Sequence, residues 1–217
     1  LNYPYYPHTV YVPGVGDLNK PNDWQKIPLK TGYGVNHFKV SLPMGKFRLW
    51  EMDEPWLYQL QVKVLSADNK VMDIASQQFG MRSFTQDTIN VPKGRMYLNG
   101  EMIRLRGANT MGHEQQCVMR KDWDQLRDDI LLAKLANMNF LRFTQRPVQS
   151  EVYEMCDQLG LLNQTDLPFF GTVRTNKFAE AVKQAEAMER MISKHPSAIM
   201  VTYINERFPN AEGIPHR

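Results

Sequence analysis

Long apolar runs are missing from this chain: none approaches the roughly 18 residues a membrane-spanning helix needs, so no such span is expected. Cysteine is scarce. Cys117 and Cys156 are the two present, and no spacing around them implies zinc or a redox pair, so both are read as packing residues. An excess of one charge is missing too. The net charge of +3 is small and evenly spread, which argues against a nucleic-acid or membrane partner. A Gly-rich phosphate loop is absent, and with it the main signature of a nucleotide-binding sheet; no cofactor is implied. The opening Leu1-Asn2-Tyr3-Pro4 has neither a basic nor an apolar leader region, so no signal peptide is expected. A start at Leu1 rather than Met reads as a processed or excised piece. What is present is ordinary: 217 residues, 42% apolar and 23% charged, enough for one large globular domain or two modest ones.

Residues 1–35 gather Pro4, Pro7, Pro13, Gly14, Gly16, Pro21, Pro28, Gly32 and Gly34, so irregular chain is expected there. Tyr58, Leu60, Val62 and Val64 then alternate with polar residues, the period of a half-buried strand. Ala67-Asp68-Asn69-Lys70 supplies a turn, and Val71 to Phe79 a returning strand. Residues 1–90 are expected to form part of a β-sandwich. Beyond residue 96 the rhythm becomes strand, helix, strand, helix. Short strands are expected at Met102–Gly107, Asn139–Thr144, Leu161–Thr165 and Ala198–Ile204, the last buried on both faces. Three helices fall between them. One spans 122–137, with Asp122 and Gln125 resembling a capping box. The next starts at a Ser150 cap, buries Val152, Met155, Cys156 and Leu159, and ends at Gly160. The longest presents Phe178, Ala181, Val182, Ala185, Met188 and Ile192 to the core. Alternating units of this kind make a parallel sheet, because a parallel strand needs a crossover. The fold class is therefore α/β with an N-terminal all-β part, residues 91–217 holding the first four units of a (β/α)8 barrel.

Reacting groups in such barrels sit at the C-terminal ends of the strands. Those ends hold Asn109, His113 and Glu114; Arg142, Thr144 and Gln145; Thr165 and Asp166; and Asn205 and Glu206. The set is polar and acid-rich, which suits an uncharged, polyhydroxylated substrate. Each member also has a plainer reading. A strand-end carboxylate often caps a helix or pairs with arginine. Arg142, a costly charge within an apolar strand, needs a partner such as Asp166 or Glu206. His113 reads equally as a loop histidine, Asp157 as a solvated residue on its helix, and Phe169, Phe170 and Tyr203 as packing.

Several stretches, in order, resemble glycoside hydrolase family 2. They are Pro55-Trp56-Leu57-Tyr58-Gln59-Leu60, Phe79-Gly80-Met81-Arg82, Tyr97-Leu98-Asn99-Gly100 with Leu105-Arg106-Gly107, Arg142 before Pro147 with Cys156-Asp157-Gln158-Leu159-Gly160, and His195-Pro196-Ser197 before Asn205-Glu206. The resemblance runs from about residue 38 onward and implies an immunoglobulin-like part followed by a TIM-barrel half. It implies a retaining mechanism, with Glu206 as general acid/base, Asn205 on the sugar 2-hydroxyl and Arg142 orienting a glutamate nucleophile from a seventh strand outside this sequence. Asp166, His113 and Asn109 are further candidate substrate contacts.

Departures stand beside the matches. Thr144-Gln145-Arg146 replaces a usual histidine, His113 comes late after Asn109, Tyr203-Ile204 replaces a Trp-containing approach, and Arg207 stands where Pro is frequent. Asp166-Leu167-Pro168 lacks the acid and His pair that holds magnesium in some members, so no metal is expected. A general acid draws its raised pKa from a close carboxylate, so this chain alone is expected to show no turnover. Its open barrel edges invite self-association. Two other readings remain: a carbohydrate-binding scaffold on the same fold, and a lyase or aldolase-like barrel, which needs a strand-end lysine that is not found. The family analogy gives a periplasmic or extracellular setting as the expectation.

Overall fold

Alternation at period two produces the first element. In the computed structural model, which describes residues 26–171 and 173–206, strand β1 (Tyr58–Leu65) pairs antiparallel with β2 (Val71–Phe79). Tyr58 stacks on Phe79 with ring centroids 5.6 Å apart. The turn between the strands places Asn69 at φ 60, the left-handed region that Asn tolerates. The expected half-burial does not follow: Tyr58 is buried, but Leu60, Val62 and Val64 are exposed. Among the described residues no second sheet covers the apolar face of this two-stranded ribbon. The expectation of irregular chain holds for residues 26–35, which contain neither strand nor helix. Its remainder, and the departure at Arg207, lie outside the described residues.

A three-stranded antiparallel sheet follows, with β3 (Phe84–Asp87), β4 (Arg95–Leu98) and β5 (Glu101–Ile103) in sequential order. Asn99 and Gly100, both at positive φ, make the tight β4–β5 hairpin turn. The single strand expected at Met102–Gly107 is therefore two pieces. Met102 and Ile103 belong to β5, and the parallel sheet begins with β6 (Gly107–Thr110). A Cβ at position 107 would lie 1.9 Å from the Phe140 carbonyl oxygen, so only glycine admits this close approach.

Strands β6, β7 (Phe140–Phe143), β8 (Leu162–Asp166) and β9 (Ala198–Thr202) form a parallel sheet in chain order. Sequential order without reversal, each strand reached by a crossover, is the winding of a barrel wall rather than of a doubly wound sheet. The chain is α/β, an all-β part followed by the first half of a barrel. Helices α1 (His113–Arg120) and α2 (Trp123–Leu135) link β6 to β7, α3 (Ser150–Leu159) links β7 to β8, and α4 (Phe178–Ile192) links β8 to β9.

The α2 cap is as expected, since Asp122 accepts a hydrogen bond from the Gln125 amide. Helix α3 differs at its start: Gln149 is the cap residue, and Ser150 is already helical. Its end is as expected, with Gly160 left-handed at φ 71. Helix α1 was not anticipated, because its eight residues have too few apolar positions to show a period. On α4, Ala181, Met188 and Ile192 are buried, but Phe178 and Val182 are exposed. Strand β9 ends at Thr202 and is only partly buried, because it is an edge of the described sheet.

Two apolar clusters hold these parts. The outer one joins the sheet to its helices through Leu126, Ile130, Leu141, Phe143, Val152, Tyr153, Cys156 and Leu161. The inner one joins Phe140, Leu162 and Ile199 to Trp50, Leu57 and Leu98, so the all-β part plugs the lower end of the barrel wall.

Candidate active site

Side chains of β7 and β8 change character along the inner face. Phe140 and Leu162, paired in register, lie in the inner apolar cluster. Two residues on, Arg142 pairs in register with Gln164, and the layer becomes polar. Arg142 is held by three donated hydrogen bonds to Asp166: from Nε to both carboxylate oxygens at 3.2 and 3.1 Å, and from Nη2 to Oδ2 at 2.7 Å. The same Nη2 donates to Asn205 Oδ1 at 2.7 Å. Asp166 is fully buried, so the guanidinium supplies the counter-charge its carboxylate requires. Gln164 extends the layer by donating to Thr202 Oγ1 and, at 3.4 Å, to Asp166.

Asn205 reaches this layer because the chain beyond β9 stays attached to the chain beyond β8. Its amide donates to the Phe169 carbonyl at 2.8 Å, and its carbonyl accepts from Gly171 at 3.0 Å. Glu206 follows, exposed and at φ 49, a left-handed position uncommon for a glutamate. Of the expected residues, the fold thus joins Arg142, Asp166 and Asn205 directly, with Glu206 adjacent in sequence. Asn109 lies on β6 in register with Arg142. His113 opens α1, and its Nε2 lies 2.9 Å from Asp129 on α2 rather than reaching the arginine cluster. Glu114 is buried in the first turn of α1.

Gln164 and Thr202 were missed from sequence, although their two-residue spacing from the neighbouring inner-face positions was a signal. A larger correction concerns Asp157, which was read as solvated. It is fully buried, and its carboxylate organises the chain entering β9. Oδ2 lies 2.6 Å from His195 Nδ1. Oδ1 accepts from the Ser197 amide at 3.0 Å and its hydroxyl at 2.6 Å. Arg82 donates to the carbonyls of Pro196 and Ala198 at 2.9 and 2.7 Å, tying the all-β part to the same turn. Burial lowers the Arg82 pKa, an effect the Asp157 charge opposes. Tyr153 stacks near His195 and shares a 2.7 Å hydrogen bond with Thr165; burial pushes its phenol up to about 12. Asp157, His195 and Ser197 thus set the entry of β9, whose far end leads to Asn205 and Glu206.

Known proteins are similar to this chain in sequence and in fold. Residues 89–212 match the family described as glycosyl hydrolases family 2, TIM barrel domain. Residues 17–82 match glycosyl hydrolases family 2. Beta-galactosidase 2 of Enterobacter cloacae is 26% identical over 176 residues, 77% of this chain and 17% of that protein. A beta-galactosidase of Oenococcus oeni is 26% identical over 180 residues, 79% of this chain and 17% of that protein. The chain therefore spans about a sixth of these relatives' length. Among solved structures, the Parabacteroides merdae beta-glucuronidase superposes with a TM-score of 0.63 at 23% identity, covering 77% of this chain and 21% of that one. A Bacteroides cellulosilyticus family member superposes with a TM-score of 0.59 at 26% identity, covering 78% of this chain and 22% of that one. With more than half its residues matched by the barrel domain, and in the order its motifs and strands display, this chain belongs to glycosyl hydrolase family 2.

Proposed function

We propose that this chain carries the acid/base side of the active centre of a retaining β-glycosidase, in which Glu206 is the general acid/base. The observation that supports the reading most is the Arg142–Asp166–Asn205 cluster at the C-terminal edge of the parallel strands, with Glu206 next in the chain. In this reading residues 1–90 belong to the immunoglobulin-like part and 91–217 to the barrel. The substrate is a carbohydrate with a β-linked leaving group, as the names of the β-galactosidase and β-glucuronidase relatives suggest.

The roles follow from the chemistry of the groups. Glu206 donates its proton to the departing glycosidic oxygen while a second carboxylate, on a strand outside this sequence, attacks the anomeric carbon. It then takes a proton from the water that releases the sugar. Such carboxyl pairs stand about 5–5.5 Å apart. Asn205, its amide oxygen occupied by Arg142, keeps its NH2 group for the sugar 2-hydroxyl. Arg142 donates three hydrogen bonds to the buried Asp166, which fixes the face it presents to the nucleophile. Asp166 positions Arg142 rather than touching the sugar. Asn109 is a proposed contact at the rim beyond β6, whereas His113, whose Nε2 faces Asp129, is left out of the sugar site.

The test is turnover of a panel of nitrophenyl β-glycosides by the full-length protein, wild type against Glu206→Gln. Loss of about 10²–10⁴-fold in rate, with the fold intact, is expected for removal of a general acid. Equal turnover in the variant would make Glu206 structural. Sugar binding without turnover in the wild type would favour the scaffold reading.

A further inference from the structure

Away from the strand ends, helices α1 and α2 bring three different metal-ligating side chains together. His113 and Cys117 stand four residues apart on α1 and so share one face. Asp129 of α2 meets that face. Its Oδ2 lies 2.9 Å from His113 Nε2 and accepts a hydrogen bond from the Cys117 thiol at 3.9 Å. The three ligand atoms all lie within 4.8 Å of one another. A tetrahedral ion with bonds of about 2.0–2.3 Å spaces its ligands by roughly 3.3–3.8 Å, so small rotations of these side chains close them around one centre. The other Asp129 oxygen accepts from Gln125 Nε2 at 2.6 Å, the kind of supporting hydrogen bond that fixes a ligating carboxylate.

We propose that His113 Nε2, Cys117 Sγ and Asp129 Oδ2 form a divalent-metal site of the zinc class, completed by a water. The mixed nitrogen, sulfur and oxygen set selects a borderline ion over calcium and magnesium, which prefer oxygen alone. On binding, the Cys117 S–H bond breaks, its proton leaves to solvent, and the sulfur lone pair forms the bond to the metal. The ion bridges α1 to α2 across the tight turn at Lys121, which is left-handed at φ 58. It therefore pins the helix that follows β6, separately from the Arg142 cluster. The same distances also suit a plain His–Asp ion pair beside a packed thiol, and that arrangement would gain nothing from added metal.

The experiment is a titration of the 217-residue chain with Co²⁺ as an optical probe for zinc, followed by competition with Zn²⁺. One equivalent is expected to bind with a sulfur-to-cobalt charge-transfer band. That band disappears in Cys117→Ser and returns to baseline when zinc displaces cobalt. Gln125→Ala should weaken binding by about tenfold, and His113→Gln by more. The His113 side chain is more than half exposed, so its variant is expected to keep the wild-type circular dichroism and serves as the control for folding. No band with the wild-type chain overturns the proposal. So does a band that survives in Cys117→Ser, which would place the thiolate at Cys156, or an affinity unchanged in His113→Gln.

Discussion

A buried carboxylate needs partners for both oxygens, and Asp157 finds them in His195 and Ser197. Removing it strands the His195 ring and the Ser197 amide in a site without water access, the situation in which breaking a buried pair costs about 3–5 kcal/mol. Asp157→Ala is therefore expected to lower the unfolding free energy by about that amount in urea titrations. Its neighbour Glu154 behaves in the opposite sense. Burial raises the Glu154 pKa, against the pull of His195 and Lys194. A carboxyl whose folded pKa is raised favours the folded state while protonated, and that contribution is lost as pH rises through the folded value. At neutral pH the ionised Glu154 is then a cost. Glu154→Gln should raise the melting temperature at neutral pH, and the gain should vanish below the carboxylate range. A gain that persists unchanged in acid would show that charge is not its source.

Elements here are joined end to end by a few tight contacts. Gly160 ends α3 in the left-handed conformation, and a Cβ there would stand 2.0 Å from the Met52 carbonyl oxygen. The left-handed backbone alone costs a non-glycine residue about 1–2 kcal/mol. Because the obstructing atom is backbone, Gly160→Ala should cost more than that in chemical denaturation, and a loss below about 1 kcal/mol would contradict the close packing described. The Cys-Asp-Gln-Leu-Gly stretch thus combines two local demands, a carboxylate facing β9 and a glycine facing the all-β part. Helix α3 is correspondingly the best covered of the four, with Val152, Tyr153, Cys156, Asp157 and Leu159 all buried.

At the scale of the whole molecule, four parallel strands supply one carboxylate of a proposed pair. The reaction requires two, so the isolated 217-residue chain is expected to release no nitrophenol from any β-glycoside in the panel. Turnover at the full-length rate would show that the second carboxylate is supplied within this chain. The all-β part is more than an appendage in this arrangement. Trp50 donates to the Asp157 carbonyl at 2.8 Å, and Arg82 holds the turn before β9. Its apolar residues fill the lower end of the barrel wall, and the Arg142, Asp166 and Asn205 cluster stands at the upper end.

The sequence by itself determined the β1–β2 pair, the alternation of β7, β8 and β9 with helices α2, α3 and α4, and the polar strand ends, because period-two and period-3.6 patterns and chain punctuation are local properties. It singled out Arg142 as a charge needing a partner and named Asp166 as a candidate. The resemblance to the family was equally legible, carried by short motifs in fixed order. Other features came from contacts distant in the chain and had no local signature. Only the tertiary structure showed that Asp157 is buried and paired, since its partners His195 and Ser197 lie 38 and 40 positions away in the chain. Only it divided Met102–Gly107 between two sheets, because the Phe140 carbonyl decides where β6 can begin. Only it brought Cys117, read as a packing residue, and His113, read as a candidate substrate contact, against Asp129 on two packed helices, where the three could hold a metal ion.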